Sequence, residues 1–181
     1  MNLELYCHRN NLVGFDDFFK DLEKKDLIFI GEDHFSKVHE ENEKIILDNL
    51  VGKEYHLVVE ELSSQRYLSK KEMLSQYNTL SFSQLPSEER MIARYICQLV
   101  SRRSPLLAIL GNNHLRGIGS VDKLVRLSKE YLDYAVIIQK PIKSATEGIY
   151  KRRTVDSTNY ILVGELSTIR QEDFHAEELT R

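Results

Sequence analysis

Glutamate and histidine recur at three points of the chain where their chemistry could be combined: Glu32 with His34, Glu60, and His114. Carboxylates and neutral imidazoles hold divalent metals. The same groups also move protons, because a glutamate that orients a histidine raises its basicity and lets it take a proton from water. Both histidines close a Gly-x-x-His segment, Gly31-Glu32-Asp33-His34 and Gly111-Asn112-Asn113-His114. A glycine directly after a strand permits the sharp turn that aims the next side chains inward. One histidine after a strand is more often structural than functional. Two such turns, with a glutamate at a third strand end, shift the balance towards function.

Short, continuous apolar runs precede these residues: Leu27–Ile30, Leu57–Val59 and Leu106–Leu110, with two more at Tyr134–Ile138 and Tyr160–Val163. They do not alternate with polar residues, which is the habit of parallel strands covered on both faces. Stretches of helical period lie between them. Phe15, Phe18, Phe19 and Leu22 form one stripe. Ser36 is placed to cap a helix with Glu40 and Glu41 in its first turn and Ile45, Ile46 and Leu50 inward. Ser87 and Ser120 are placed to cap two more, and a less regular helix is expected over about 65–77. The alternation predicts an α/β fold, a mainly parallel sheet with helices on both faces, in a single layered domain spanning 1–169. Ligands bind outside the carboxyl ends of strands in such sheets, which is where the three segments fall.

The 181 residues suffice for one hydrophobic core, and the 41% hydrophobic and 29% charged fractions are those of an ordinary globular chain. A net charge of −3 gives no reason to expect nucleic acid or an anionic membrane as partner. No apolar run approaches the ~20 residues of a membrane helix. The N-terminus has neither a basic flank nor a long apolar stretch, so no signal peptide and a cytoplasmic location are expected. Cys7 and Cys97 are distant and lack CxxC spacing, which fits neutral thiols in a reducing compartment. Residues 139–159 are polar and rich in Lys and Arg, as a lid or hairpin insertion would be. Residues 170–181 form an acidic tail.

At its Glu and His residues the chain resembles the superfamily of Tiki and TraB proteases, erythromycin esterase-like proteins and ChaN-like haem-uptake proteins. Their pattern of Gly-Glu-x-His, a second strand ending in Glu, and a later Gly-x-x-His is matched by Gly31-Glu32-Asp33-His34, Val59-Glu60 and Gly111-Asn112-Asn113-His114. The Gly-Glu-x-His form is closest to ChaN-like members; erythromycin esterases usually carry one more residue between Glu and His. Beyond Ser120 the resemblance is architectural only. The chain is short for the superfamily, so insertions that shape substrate pockets in larger members are expected to be reduced.

The resemblance implies Glu32, His34, Glu60 and His114 as the catalytic set. If the reaction is metal-dependent, the same four hold a divalent metal (Mn, Co, Zn or Fe), ahead of haem as cofactor. Glu61 points opposite to Glu60 on a strand, and the family pattern favours Glu60. The expected function is hydrolysis of an ester, amide or related bond of a small-molecule or peptide substrate. His34 would be general base or metal ligand, and His114 second ligand or oxyanion donor. The alternatives are a non-catalytic metal, haem or small-molecule binder, and a secreted bacterial effector using the same site, whose acidic tail would resemble a secretion signal. Arg116 and Asn113 are the substrate-binding candidates, Arg116 for an oxyanion or a substrate carboxylate. Glu165 is a weaker candidate acid after the last strand. His39 is set aside because five positions on a helix place it about 140° from His34.

Overall fold

The five apolar runs become the five central strands of one sheet. A computed structural model describes residues 11–50, 55–60, 82–85, 88–100, 105–116, 119–140, 147–153 and 158–170. The chain begins with β1 (Asn11–Val13), α1 (Phe15–Leu22), β2 (Leu27–Glu32), α2 (Lys37–Leu50), β3 (His56–Glu60) and β4 (Phe82–Leu85). It continues through α3 (Glu89–Val100), β5 (Leu106–Gly111), a 3-10 turn (Asn112–Leu115), α4 (Val121–Ser128), β6 (Tyr134–Lys140), β7 (Gly148–Arg153) and β8 (Thr158–Val163). The sheet order is β1-β7-β8-β6-β2-β5-β3-β4. β8, β6, β2, β5, β3 and β4 run parallel, while β7 is antiparallel to both of its neighbours.

Apolar residues on both faces of each central strand require helices on both faces of the sheet, and they are there. Ile28, Ile30, Leu57, Val59, Leu107, Ile109 and Ile137 pack with α1 and α2. Leu27, Phe29, Val58, Ala108, Leu110 and Val136 pack with α3 and α4. The fold is therefore α/β and doubly wound. Each fully buried Leu, Ile or Phe in these layers stabilises it by roughly 1.5–3 kcal/mol. The helix stripes read from the sequence face inward, Phe15, Phe18, Phe19 and Leu22 in α1 and Ile46 and Leu50 in α2, and Ile92, Ile96 and Leu99 of α3 are buried likewise. Ser36 Oγ accepts the His39 N–H at 3.3 Å, as an N-cap should.

β1 and β4 are the short edge strands, and β7 lies between β1 and β8; none has an apolar run to announce it. β7 lies within 139–159, the stretch expected as a lid or hairpin. The helix expected over 65–77, Ser87, Glu61, Cys7 and the tail past Arg170 lie outside the described residues.

This order positions the site. β2, β5 and β3 are consecutive neighbours, so the three strands that carry the Glu and His residues end side by side. From β2 the chain leaves through α2 towards β3; from β5 it leaves through α4, on the other face, towards β6. Connections that depart in opposite directions leave a crevice at the carboxyl ends of the two strands.

Candidate functional site

Glu32 ends β2 and Gly111, its partner across the ladder, ends β5. Glu32 shares the α2 face with Ile28 and Ile30, whereas Glu60 shares the α3 face with Val58. The two carboxylates therefore approach from opposite sides of the sheet, and His34 spans the gap. Its Nδ1 lies 2.8 Å from Glu32 Oε1, and its Nε2 lies 3.6 Å from Glu60 Oε2. Glu60 is held in turn by the Gly111 N–H, which donates to Oε2 at 2.6 Å, and by His114 Nε2, which lies 3.0 Å from Oε1. His114 Nδ1 is 3.2 Å from Glu89 Oε1, at the start of α3. The result is one alternating series: Glu32, His34, Glu60, His114, Glu89.

Gly111 makes this series possible by what it lacks. A Cβ there would lie 3.0 Å from His34 Nε2 and 3.1 Å from Glu60 Oε2. A Cβ on Gly31 would collide with Asn112 Oδ1 and lie 3.2 Å from the Ile137 carbonyl. Neither glycine has positive φ, and both lie within their strands. The expectation that they form sharp turns is corrected: they are needed because side chains cross close above them.

The electrostatics follow from the pairing. Hydrogen bonds to Glu32 and then to Glu60 outweigh desolvation and raise the His34 pKa to about 9. Burial pushes the Glu60 carboxyl up, but the hydrogen bonds from His34 and the Gly111 N–H overcome it, and its pKa is lowered on balance. His34 is thus an imidazolium and Glu60 a carboxylate at neutral pH.

These residues line a pocket of about 480 Å³ together with Asp33, His39, Gly111, Asn112, Asn113, Arg116, Gln139 and Lys140. Arg116 and Asn113, the substrate-binding candidates, are on the lining and exposed. Glu165 is exposed and not among the lining residues. His39 is on the lining, contrary to the helix-geometry expectation. α2 begins only at Lys37, so His34 is not on the same helix and the angular offset does not apply. The Asp33 N–H donates to His39 Nδ1 at 2.7 Å, which ties the loop after β2 to the helix.

Glu89, Asn42 and Gln139 are the polar contributors that the sequence did not single out. Glu89 was legible only as a first-turn acid. Gln139 follows an apolar run, and Asn42 stands one and two turns before Ile46 and Leu50 on the inward stripe; a buried polar residue in either place is the signal that could have found them.

Among the described residues no group of three or more His, Cys, Asp or Glu side chains converges as a metal ion requires. The donor atoms of Glu32, His34, Glu60 and His114 face one another instead, and the bonds that hold the His34 proton oppose ligation. No helix among the described residues is long and apolar enough to cross a membrane. Cys97 is a half-buried thiol whose pKa burial raises.

Fold and site together define a doubly wound α/β protein with an acid–imidazole series at its strand ends. No family model matches the sequence, and no curated protein matches it either. Among solved structures it is similar to ChaN of Campylobacter jejuni, described with cofacial haem binding. The TM-score is 0.55 at 12% identity, over 88% of this chain and 95% of that one. At that identity the likeness is one of fold.

Proposed function

We propose that the chain is a hydrolase of a small polar substrate, in which two histidines that share Glu60 divide the proton transfers, one accepting from water and the other donating to the leaving group. One observation carries this: His34 and His114 flank the same carboxylate, at 3.6 and 3.0 Å, in a pocket lined by polar side chains. Catalytic pairs work when their environments differ, so that one member holds a proton and the other accepts one. His34 lies between two largely buried carboxylates and is the proton holder. His114 has Glu60 on one side and the half-exposed Glu89 on the other, and is assigned the accepting role.

The roles follow, and they exchange those first expected for the two histidines. Water attacks the carbonyl carbon of an ester or amide while His114 takes one of its protons. The His34 N–H donates to the developing oxyanion, then passes its proton to the leaving alkoxide or amine as the bond to carbon breaks. Glu32 and Glu60 keep His34 oriented and charged. The proton on His114 returns to solvent, and His34 is recharged from it. Arg116 and Asn113 sit where they can hold the remainder of the substrate.

Single substitutions test this. His114→Ala and His34→Ala are each expected to lower turnover of activated p-nitrophenyl esters by about 10²-fold or more, with the circular dichroism spectrum unchanged. Turnover equal to wild type in both variants contradicts the proposal.

Haem binding is the second reading, favoured by the fold likeness to ChaN. Against it stands the lining among the described residues, which carries no aliphatic side chain, whereas small-molecule and cofactor pockets are mostly apolar. A saturable visible haem band in the purified chain, without ester turnover, would favour this second reading.

A further inference from the structure

Behind the pocket lies an amide pair that the proposed chemistry does not use. Asn42 on α2 is 1% exposed and Gln139 on β6 is 0% exposed. The backbone fixes which end of Asn42 is which: its Oδ1 accepts the Leu166 N–H at 2.8 Å, and its Nδ2 donates to the Gly164 carbonyl at 3.0 Å. A backbone N–H only donates and a carbonyl only accepts, so oxygen and nitrogen cannot be exchanged. Nδ2 also donates to Gln139 at 3.1 Å, and the atom that receives this bond must be Oε1. Gln139 Nε2 is therefore the arm turned away from Asn42. It is buried and has no acceptor among the described residues, and Gln139 lines the pocket with Glu32, His34 and Glu60. Strand alternation puts Gln139 on the α2 face of the sheet, which is also the face of Glu32.

A buried amide nitrogen without an acceptor is uncommon unless a ligand supplies one. We infer that Gln139 determines specificity: its Nε2 donates to a carboxylate oxygen of the substrate, and Asn42 is the positioning residue that turns the donor end of the amide towards the pocket. The inference rests on the polar pocket being the substrate site. Arg116 and Lys140 on the same lining favour a carboxylate over a neutral carbonyl. The substrate class is thus a small ester or amide that also bears a carboxylate.

The test reads binding, so it separates from the question of turnover. In the ¹⁵N-labelled full chain, the Gln139 side-chain amide peaks are assigned by their absence from Gln139→Met and followed as sodium acetate is added, with acetamide and sodium chloride as controls. A saturable shift at millimolar acetate is expected, with weaker binding of acetamide. In Asn42→Asp the new carboxylate can only accept, so the Gln139 amide turns round to donate to it and acetate affinity falls about tenfold. Where Asn42→Asp does not fold, Gln139→Met carries the test through the shift of the Arg116 backbone peak, with the same fall expected. No shift of the Gln139 amide, acetamide binding as tightly as acetate, or undiminished acetate affinity in the variant overturns the inference. A chain that binds acetate through Gln139 yet hydrolyses nothing would leave it standing while removing the hydrolase proposal.

Discussion

His34 is where charge, geometry and stability meet. Its pKa is 6.5 in the unfolded reference and about 9 in the fold. A group whose pKa is raised by folding stabilises fully below its unfolded value, and that contribution is lost as pH rises through the folded one. Here the loss spans pH 6.5 to about 9 and amounts to at most about 3 kcal/mol, counted once for His34 and its carboxylates together. Urea unfolding should therefore give a falling stability across this window, and His34→Gln should flatten the slope; parallel curves would contradict it. Gly111 makes a second prediction at this scale. The Cβ of Gly111→Ala would press on two flexible side-chain ends, which can yield by a few tenths of an ångström. Stability should change little while turnover falls at least tenfold, because the displaced groups are the reacting ones. Comparable losses in both would indicate a purely structural glycine. Glu32, His34, Glu60 and His114 were legible as residues because each follows a continuous apolar run, where a charged side chain has no packing reason to be.

The helices explain what was not legible. α2 serves two surroundings along its length: His39, Asn42 and Glu43 are buried in its first half, and Ile46, Leu47 and Leu50 in its second. Only the second half reads as an amphipathic stripe, so periodicity does not mark the polar half as buried. Its N-terminus also holds the loop after β2, through the Ser36 cap and the Asp33–His39 bond. Ser36→Ala should cost about 1 kcal/mol in thermal or chemical unfolding and loosen that loop, with a rise in KM. A variant as stable as wild type would show that the cap carries no weight. Strands were read well where both faces are buried, since β2, β3, β5, β6 and β8 announce themselves as apolar runs. β1 and β4 lack such runs because an edge strand need not bury both faces, and β7 lacks one because three of its six residues are Lys or Arg.

For the whole molecule, the sheet order does what no single element can. Inserting β5 between β2 and β3 brings together residues separated by up to 82 positions, from Glu32 to His114. It also sends α2 and α4 to opposite faces, which opens the crevice. The five runs implied a parallel sheet but not its order, because periodicity carries no information about which strands are neighbours. The central claim is that Glu60 couples His34 and His114 in one proton-transferring site. Its most direct test is the turnover of p-nitrophenyl esters by Glu60→Gln. Glutamine keeps the shape and one acceptor for the Gly111 N–H, but its neutral amide cannot hold His34 as a cation. A folded Glu60→Gln protein should lose about 10²–10⁴-fold in kcat relative to wild type. Equal turnover in wild type and a folded variant, or none in wild type, would contradict the account.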